Sequence, residues 1–173
     1  INKITENVKS IEKNKYGEVY TPISLIQEHL SELPKKVFSD PSLRWLEPAA
    51  GIGSYPIIVY YLLMDGLKSV IKRDKDRSKH IITKMLYMIE INIDNVKIIK
   101  HLFKMIDKNA KVNIVHGDFL SLDIEKYDII MGNPPFQLSR GTEIRKGLKG
   151  RRTLWNGFVK KSLDMLNPDG YLV

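Results

Sequence analysis

The sequence predicts an α/β fold built on an open sheet, and three observations predict it. Short apolar runs alternate along the chain with stretches of helical spacing. A Gly-rich turn, Gly51-Ile52-Gly53, joins the first run to an apolar helix, as in the first half of a nucleotide-binding βαβ unit. Each of four runs then stops at or just before a polar residue: Glu47, Glu90, Asp118 and Asn133. Ligands of open α/β sheets bind beyond the carboxyl ends of the strands. Four such residues on one rim carry more weight than any one alone.

The 173 residues, 43% of them hydrophobic, suffice for one domain with a proper core. The net charge of +8 favours a polyanionic partner, nucleic acid before membrane. There is no cysteine, which excludes disulfides, thiolate metal sites, iron–sulfur clusters and Cys nucleophiles. Methylation at carbon 5 of cytosine through a Cys adduct is excluded with them. His29, His80, His101 and His116 are scattered without metal spacing, so no metal is expected. No run reaches membrane-spanning length and no signal peptide is visible, so a soluble cytoplasmic protein is expected. The chain begins at Ile1 and stops at Gly170-Tyr171-Leu172-Val173, which reads as the start of a strand. The expectation is a portion of a longer protein, with residues 1–15 a polar, basic tether or loose helix and residues 16–173 one domain, incomplete at its C-terminus.

Taken in order, Thr21 reads as an N-cap and Pro22 as the first residue of a helix. Leu25, Ile26, His29, Leu30 and Leu33 give that helix one apolar face, and Pro34 ends it. Leu43 to Leu46 is the first strand, running into Glu47-Pro48-Ala49-Ala50 and the glycines. Gly51 and Gly53 let the backbone turn tightly and come close to a ligand. Glu47 would repel a pyrophosphate but could receive an ammonium group, so a ligand with an amino-acid moiety fits better than a dinucleotide. Pro56 to Leu67 reads as a buried helix, and Lys68 to Lys79 as a solvated charged face. Met85 to Ile91 is the second strand. Its acid, Glu90, can hydrogen-bond both hydroxyls of a ribose. Glu90 lies further from the glycines than the roughly 20 residues of a simple unit. An inserted helix or long loop around Lys72 to Lys84 accounts for the excess. Asp94 opens a helix with Val96, Ile99, Phe103 and Ile106 along one stripe. Val112 to His116 is the third strand. At its tip Asp118 could bind an adenine amino group with Phe119 stacked beside it, or the pair could be a capping Asp and a core Phe.

The fourth strand, Ile129 to Met131, runs into Gly132-Asn133-Pro134-Pro135-Phe136. The prolines end sheet pairing and stiffen the turn. An exocyclic amine on a flat base has two N–H donors and a π-face. The Asn133 side-chain oxygen and the Pro134 carbonyl can accept both hydrogens, and Phe136 can stack on the ring. Accepting both draws the nitrogen lone pair out of conjugation and makes the amine a better nucleophile. A plain turn with a half-buried Phe is the competing reading. Gln137 to Thr153 carries Arg140, Arg145, Lys146, Lys149, Arg151 and Arg152. Beside a base-binding turn these would neutralise phosphates; otherwise they are an ordinary solvated loop. Leu154 to Leu166 is an amphipathic helix, Asn167 to Gly170 a turn, and Tyr171 the start of a fifth strand.

This set resembles the N6-adenine DNA methyltransferases that use S-adenosylmethionine. Asn133-Pro134-Pro135-Phe136 is similar to their catalytic turn and Glu47-Pro48-Ala49-Ala50-Gly51-Ile52-Gly53 to their cofactor glycine loop. Glu18-Val19-Tyr20-Thr21-Pro22 resembles the N-terminal cofactor motif of one branch, and the motif order resembles the gamma arrangement. The resemblance implies a Rossmann-like fold, a mostly parallel sheet with helices on both faces, of which this chain reaches about the fifth strand. It implies cofactor binding by Tyr20, Thr21, Pro22, Glu47, Pro48, Ala49, Gly51, Gly53, Glu90, Ile91, Asp118 and Phe119. It implies direct methyl transfer to adenine N6 at Asn133, Pro134, Pro135 and Phe136, with base flipping, on double-stranded DNA and without a metal. A restriction–modification setting follows, with target recognition left to a missing C-terminal region or a separate specificity subunit. Similar turns occur in enzymes that methylate cytosine N4, ribosomal RNA or protein glutamine. A fragment that binds the cofactor without turnover, serving as a specificity or scaffold subunit, is the non-enzymatic alternative.

Overall fold

Five parallel strands run in the order β3-β2-β1-β4-β5: β1 (Trp45–Glu47), β2 (Leu86–Glu90), β3 (Asn113–His116), β4 (Tyr127–Ile130) and β5 (Leu166–Leu172). The structure is a computed structural model and describes residues 21–123, 125–135 and 154–173. Within this order β1 sits centrally, flanked by β2 and β4, so its carboxyl end opens into the middle of the rim.

Side chains alternate across a strand, and here the alternation feeds two cores. Trp45, Met88 and Ile129 face one layer, with helix α1 (Ile23–Ser31), helix α2 (Ser54–Gly66) and helix α4 (Ile93–Ile106). Leu46, Ile89 and Ile130 face the other, with Phe119 and with Phe158 and Met165 of helix α5 (Trp155–Met165). Helices therefore cover both faces, the arrangement that a parallel sheet requires.

Between α2 and β2 the long spacing, which allows an inserted helix or a long loop, is filled by a helix, α3 (Asp74–His80), followed by a π-helical turn at Ile81–Met85. The charged stretch is not wholly a solvated face. Arg77 is buried, donates to the carbonyls of Ile71 and Lys72 and pairs with Asp74. Charge patterning gives no sign of it, because one arginine in such a run can cap a turn while its neighbours face water.

Two boundaries differ from expectation. Pro22, not Thr21, occupies the N-cap of α1, and no side chain caps that helix. At the other end, Asn167 to Gly170 is not a turn ahead of a strand but a bulge within β5. Leu166 lies opposite Tyr127 and Tyr171 opposite Ile129, so the four residues between them stand against Asp128. Asp169 takes a φ of 63° there, and Asn167 Nδ2 donates to Asp128 Oδ1 at 2.8 Å. A bulge accommodates Pro168, which has no amide hydrogen to give a ladder. Among the described residues no helix is long and apolar enough to cross a membrane.

Candidate active site

Because all five strands are parallel, the ends of β1, β2, β3 and β4 share one edge of the sheet. Glu47 and Glu90 are the last residues of β1 and β2, and Asp118 and Asn133 follow β3 and β4 closely. The rim predicted from the sequence is the rim of the fold. Residues Tyr20, Phe136, Arg140, Arg145, Lys146, Lys149, Arg151 and Arg152 lie outside the described residues, as do residues 1–15.

The glycine loop is tied down from two sides. Ala50 N–H donates to the Ile89 carbonyl at 2.9 Å, and Gly51 N–H donates to Glu90 Oε2 at 2.6 Å. Glu90 Oε1 accepts from Asn92 N–H at 2.7 Å, so this buried acid braces both the loop and the start of α4. The two glycines serve different ends. Gly51, at φ 53°, faces open space, with nothing within 4 Å of where a Cβ would stand. At Gly53, φ 92°, a Cβ would meet Ile99 of α4 at 3.0 Å. One glycine leaves room beside the loop and the other lets two helices pack closely. Pro48 is buried and Ala49 half-buried beside them, while Ile91 is exposed just past Glu90.

Glu47 is the unusual group. It is 1% exposed, and its Oε1 accepts from Ala49 N–H at 3.3 Å. Its Oε2 is buried with no hydrogen-bond partner among the described residues. Burial drives its pKa well above the usual carboxylate range. The Ala49 amide opposes that rise and the nearby Glu90 charge adds to it. An unpaired buried carboxylate is expensive, and a cationic donor is what it lacks.

The turn after β4 is built against this carboxylate. Met131 N–H donates to the Leu46 carbonyl at 2.9 Å and Gly132 N–H to the Val173 carbonyl at 3.0 Å. Gly132 has a φ of 150°, and a Cβ there would stand 2.7 Å from the Glu47 carboxyl carbon. In the sequence the signal for Gly132 is no more than a glycine between a strand and Asn-Pro-Pro. Asn133 and Pro134 are half-buried and Pro135 is exposed. The Asn133 side-chain amide donates from Nδ2 to Thr21 Oγ1 at 3.2 Å, across 112 positions of sequence. That contact brings the N-terminal segment and the Asn-Pro-Pro turn together and leaves Oδ1 as the remaining acceptor.

Thr21 precedes Pro22, which is exposed at the start of α1. The helix is anchored by buried Ile26 and Leu30 and by a 2.6 Å hydrogen bond between His29 Nδ1 and the Tyr55 hydroxyl of α2. Burial raises the Tyr55 pKa, and the neighbouring Glu47 charge raises it further.

Of the Asp118-Phe119 pair, Phe119 takes the blander of its two readings. Asp118 Oδ1 accepts from Leu120 N–H at 3.0 Å and Oδ2 from the Ser121 hydroxyl at 3.1 Å, so the side chain caps its own turn. Phe119 is 1% exposed and stacks on Phe158 with ring centroids 5.2 Å apart. Its ring belongs to the core and is not presented to a ligand. A cavity of ≈ 280 Å³ lined by Leu43, Asp128, Ile129 and Tyr171 lies at the amino ends of β1 and β4, away from this rim.

Residues 53–173 match the Eco57I restriction-modification methylase family. An uncharacterized adenine-specific methylase of Mycoplasma pneumoniae is 24% identical over an alignment 232 positions long, covering 91% of this chain and 54% of that protein. The chain thus spans about half the length of this curated relative. Among solved structures, the M protein of the type I restriction enzyme EcoKI superposes with a TM-score of 0.66 at 20% identity, covering 96% of this chain and 35% of that one. A putative class I S-adenosylmethionine-dependent methyltransferase from Listeria monocytogenes gives 0.61 at 15% identity, covering 95% and 49%. At these identities the structures share the fold: the Rossmann-like fold of S-adenosylmethionine-dependent methyltransferases.

Proposed function

The chain belongs to the Eco57I restriction-modification methylase family, and from that premise we propose that it transfers a methyl group from S-adenosylmethionine to the exocyclic N6 of adenine in double-stranded DNA. One observation carries the proposal. The Asn133 amide stands past the end of β4, against the turn that buries Glu47, with its Nδ2 engaged and its Oδ1 left to accept.

The residues of the rim fit the cofactor. Glu47 Oε2 is a buried acceptor without a donor among the described residues, and the ammonium group of a bound amino acid supplies one. Gly51 leaves space beside the loop. Glu90 closes β2 beside the glycine loop and takes the ribose hydroxyls. Thr21, Pro22, Pro48, Ala49, Ile91 and Asp118 border the same rim and complete the binding surface. When bound, S-adenosylmethionine supplies a methyl group already activated on a sulfonium, so no metal is called for. Asn133 Oδ1 and the Pro134 carbonyl hold both amine hydrogens, and Pro135 stiffens the turn. Phe136 stacks on the base. Most of the acceleration comes from this positioning. The base must leave the duplex to reach the turn. The cationic run Arg140, Arg145, Lys146, Lys149, Arg151 and Arg152 neutralises phosphates there. Target choice belongs to a separate specificity subunit or to a further region of the same protein.

Transfer of labelled methyl groups from S-adenosylmethionine to duplex DNA tests the reading, and no incorporation beside tight cofactor binding counts against it. A second test isolates Glu47. Its folded-state pKa is raised, so between the unfolded and folded values the native state holds the extra proton. Stability is therefore present at low pH and lost as pH rises through that window. Glu47→Gln removes this dependence. Its melting temperature relative to wild type should climb as pH rises above the ordinary glutamate range, while its cofactor affinity falls at least about tenfold, the scale of one charge-assisted hydrogen bond. A variant that loses stability with rising pH as wild type does, or binds cofactor normally, contradicts the role given to Glu47.

A further inference from the structure

Resting on the cofactor reading above, we infer that binding of S-adenosylmethionine is coupled to the loss of a proton from Glu47: the carboxyl is neutral in the ligand-free protein and ionises when the ammonium group of the cofactor arrives beside it. The geometry leads there. Glu47 closes the central strand β1 and is 1% exposed. Gly132 lies so close over it that a Cβ there would stand 2.8 Å from Oε2. Oε1 accepts one amide, Ala49 N–H at 3.3 Å, and Oε2 has no partner among the described residues. A carboxylate so placed would hold a full charge out of water with one long hydrogen bond to answer it. A proton on Oε2 removes the charge and leaves one hydrogen bond unmade, which is by far the smaller cost.

The neighbours do not supply the cation. Strand β2 brings Glu90, a second carboxyl. Helix α2 brings the Tyr55 hydroxyl, which is hydrogen-bonded to His29 of α1 at 2.6 Å. The turn after β4 brings the Gly132 backbone. Among the described residues no lysine or arginine pairs with Glu47. Burial, opposed by the Ala49 amide and reinforced by Glu90, therefore keeps the carboxyl protonated well above the usual glutamate range. An ammonium group reverses this balance. It donates to Oε2 and sets a positive charge where the absence of water lets it act most strongly. The Glu47 O–H bond breaks, its proton passes to the solvent, and the cofactor keeps its three ammonium hydrogens. Affinity is thus lowest at low pH and rises with pH while the ligand-free protein still holds the proton. It levels off above the native pKa of Glu47. The demethylated product keeps the same ammonium group, so exchange of product for fresh cofactor moves no proton. The dependence therefore falls on KM for the cofactor and not on kcat.

Calorimetric titration of the full-length protein with S-adenosylmethionine counts the proton, in two buffers of different ionisation enthalpy and at a series of pH values above the ordinary glutamate range. Release should approach about one proton per cofactor, with affinity gaining up to about tenfold for each pH unit, the limiting slope for one linked proton. 5′-Methylthioadenosine, which lacks the amino-acid moiety, should release none. Glu47→Gln cannot ionise, and should bind S-adenosylmethionine with no proton released and no such slope. A wild-type readout stands even where that variant binds too weakly to titrate. Infrared difference spectra on cofactor binding should show a protonated carboxyl band lost and a carboxylate band gained. Proton release by 5′-methylthioadenosine, or by Glu47→Gln, would assign the titration to another group, His29 among them, and overturn the inference. Wild-type binding with no proton released, or with the carboxyl band unchanged, would overturn it too. Wild type that binds cofactor and releases the proton but methylates neither DNA nor RNA counts against the reaction and upholds the coupling. An active wild type whose cofactor affinity is flat with pH counts against the coupling alone.

Discussion

Asn133→Ala is expected to abolish methyl transfer while leaving affinity for S-adenosylmethionine within a few-fold. Removing one preorganised hydrogen-bonding group from a reacting centre costs about 10²- to 10³-fold in turnover. Here the same side chain also sets the angle of the amine, so the loss should reach the upper end of that range. The cofactor should bind nearly as before, since the glycine loop is tied to Ile89 and Glu90 rather than to Asn133. Stability should change little, because Asn133 is half-buried and its hydrogen bond to Thr21 is one neutral contact. Single-turnover kinetics and equilibrium cofactor binding on the same preparation measure both quantities. Near-normal turnover in the mutant would remove Asn133 from the reaction.

Gly132→Ala should damage stability and activity together. The φ of 150° is costly for an L side chain, by about 1–3 kcal/mol. The added methyl would also stand 2.7 Å from the Glu47 carboxyl carbon and 2.8 Å from its Oε2. Glu47 is buried and cannot swing into solvent, so either the carboxylate or the turn must move. Each choice displaces one half of the site. A loss of at least about 2 kcal/mol in denaturant unfolding is expected, since strain and overpacking add, with turnover falling more than about 10²-fold. The double variant Gly132→Ala, Glu47→Ala should regain part of that stability, because the collision is gone, and no activity. Strict additivity of the two substitutions would show that the two residues do not meet.

Much of this site is legible in the sequence because it sits where regular structure ends. Glu47, Glu90 and Asn133 close apolar runs, and parallel strands carry all such endings to one edge. The inserted helix before β2 is legible as excess length between the glycines and Glu90. What is illegible depends on side-chain direction or on contacts remote in sequence. A phenylalanine after a strand reads alike whether it faces a ligand or, as Phe119 does, Phe158 and the core. Thr21 reads as a helix cap because caps are local, whereas its partner lies 112 positions away. Gly132 reads as a spacer until its φ and the carboxylate against it are known. Asn167 to Gly170 carries turn chemistry, and only the pairing of β4 with β5 makes it a bulge.

Nucleoside mass spectrometry of duplex DNA, with RNA in parallel, after incubation of the full-length protein with S-adenosylmethionine at low salt tests the central claim most directly. The expected product is N6-methyladenine in the DNA, absent with Asn133→Ala. N4-methylcytosine, or methylation confined to the RNA, would keep the chemistry of the turn and contradict its target. Unmodified DNA and RNA beside intact cofactor binding would contradict the transfer itself.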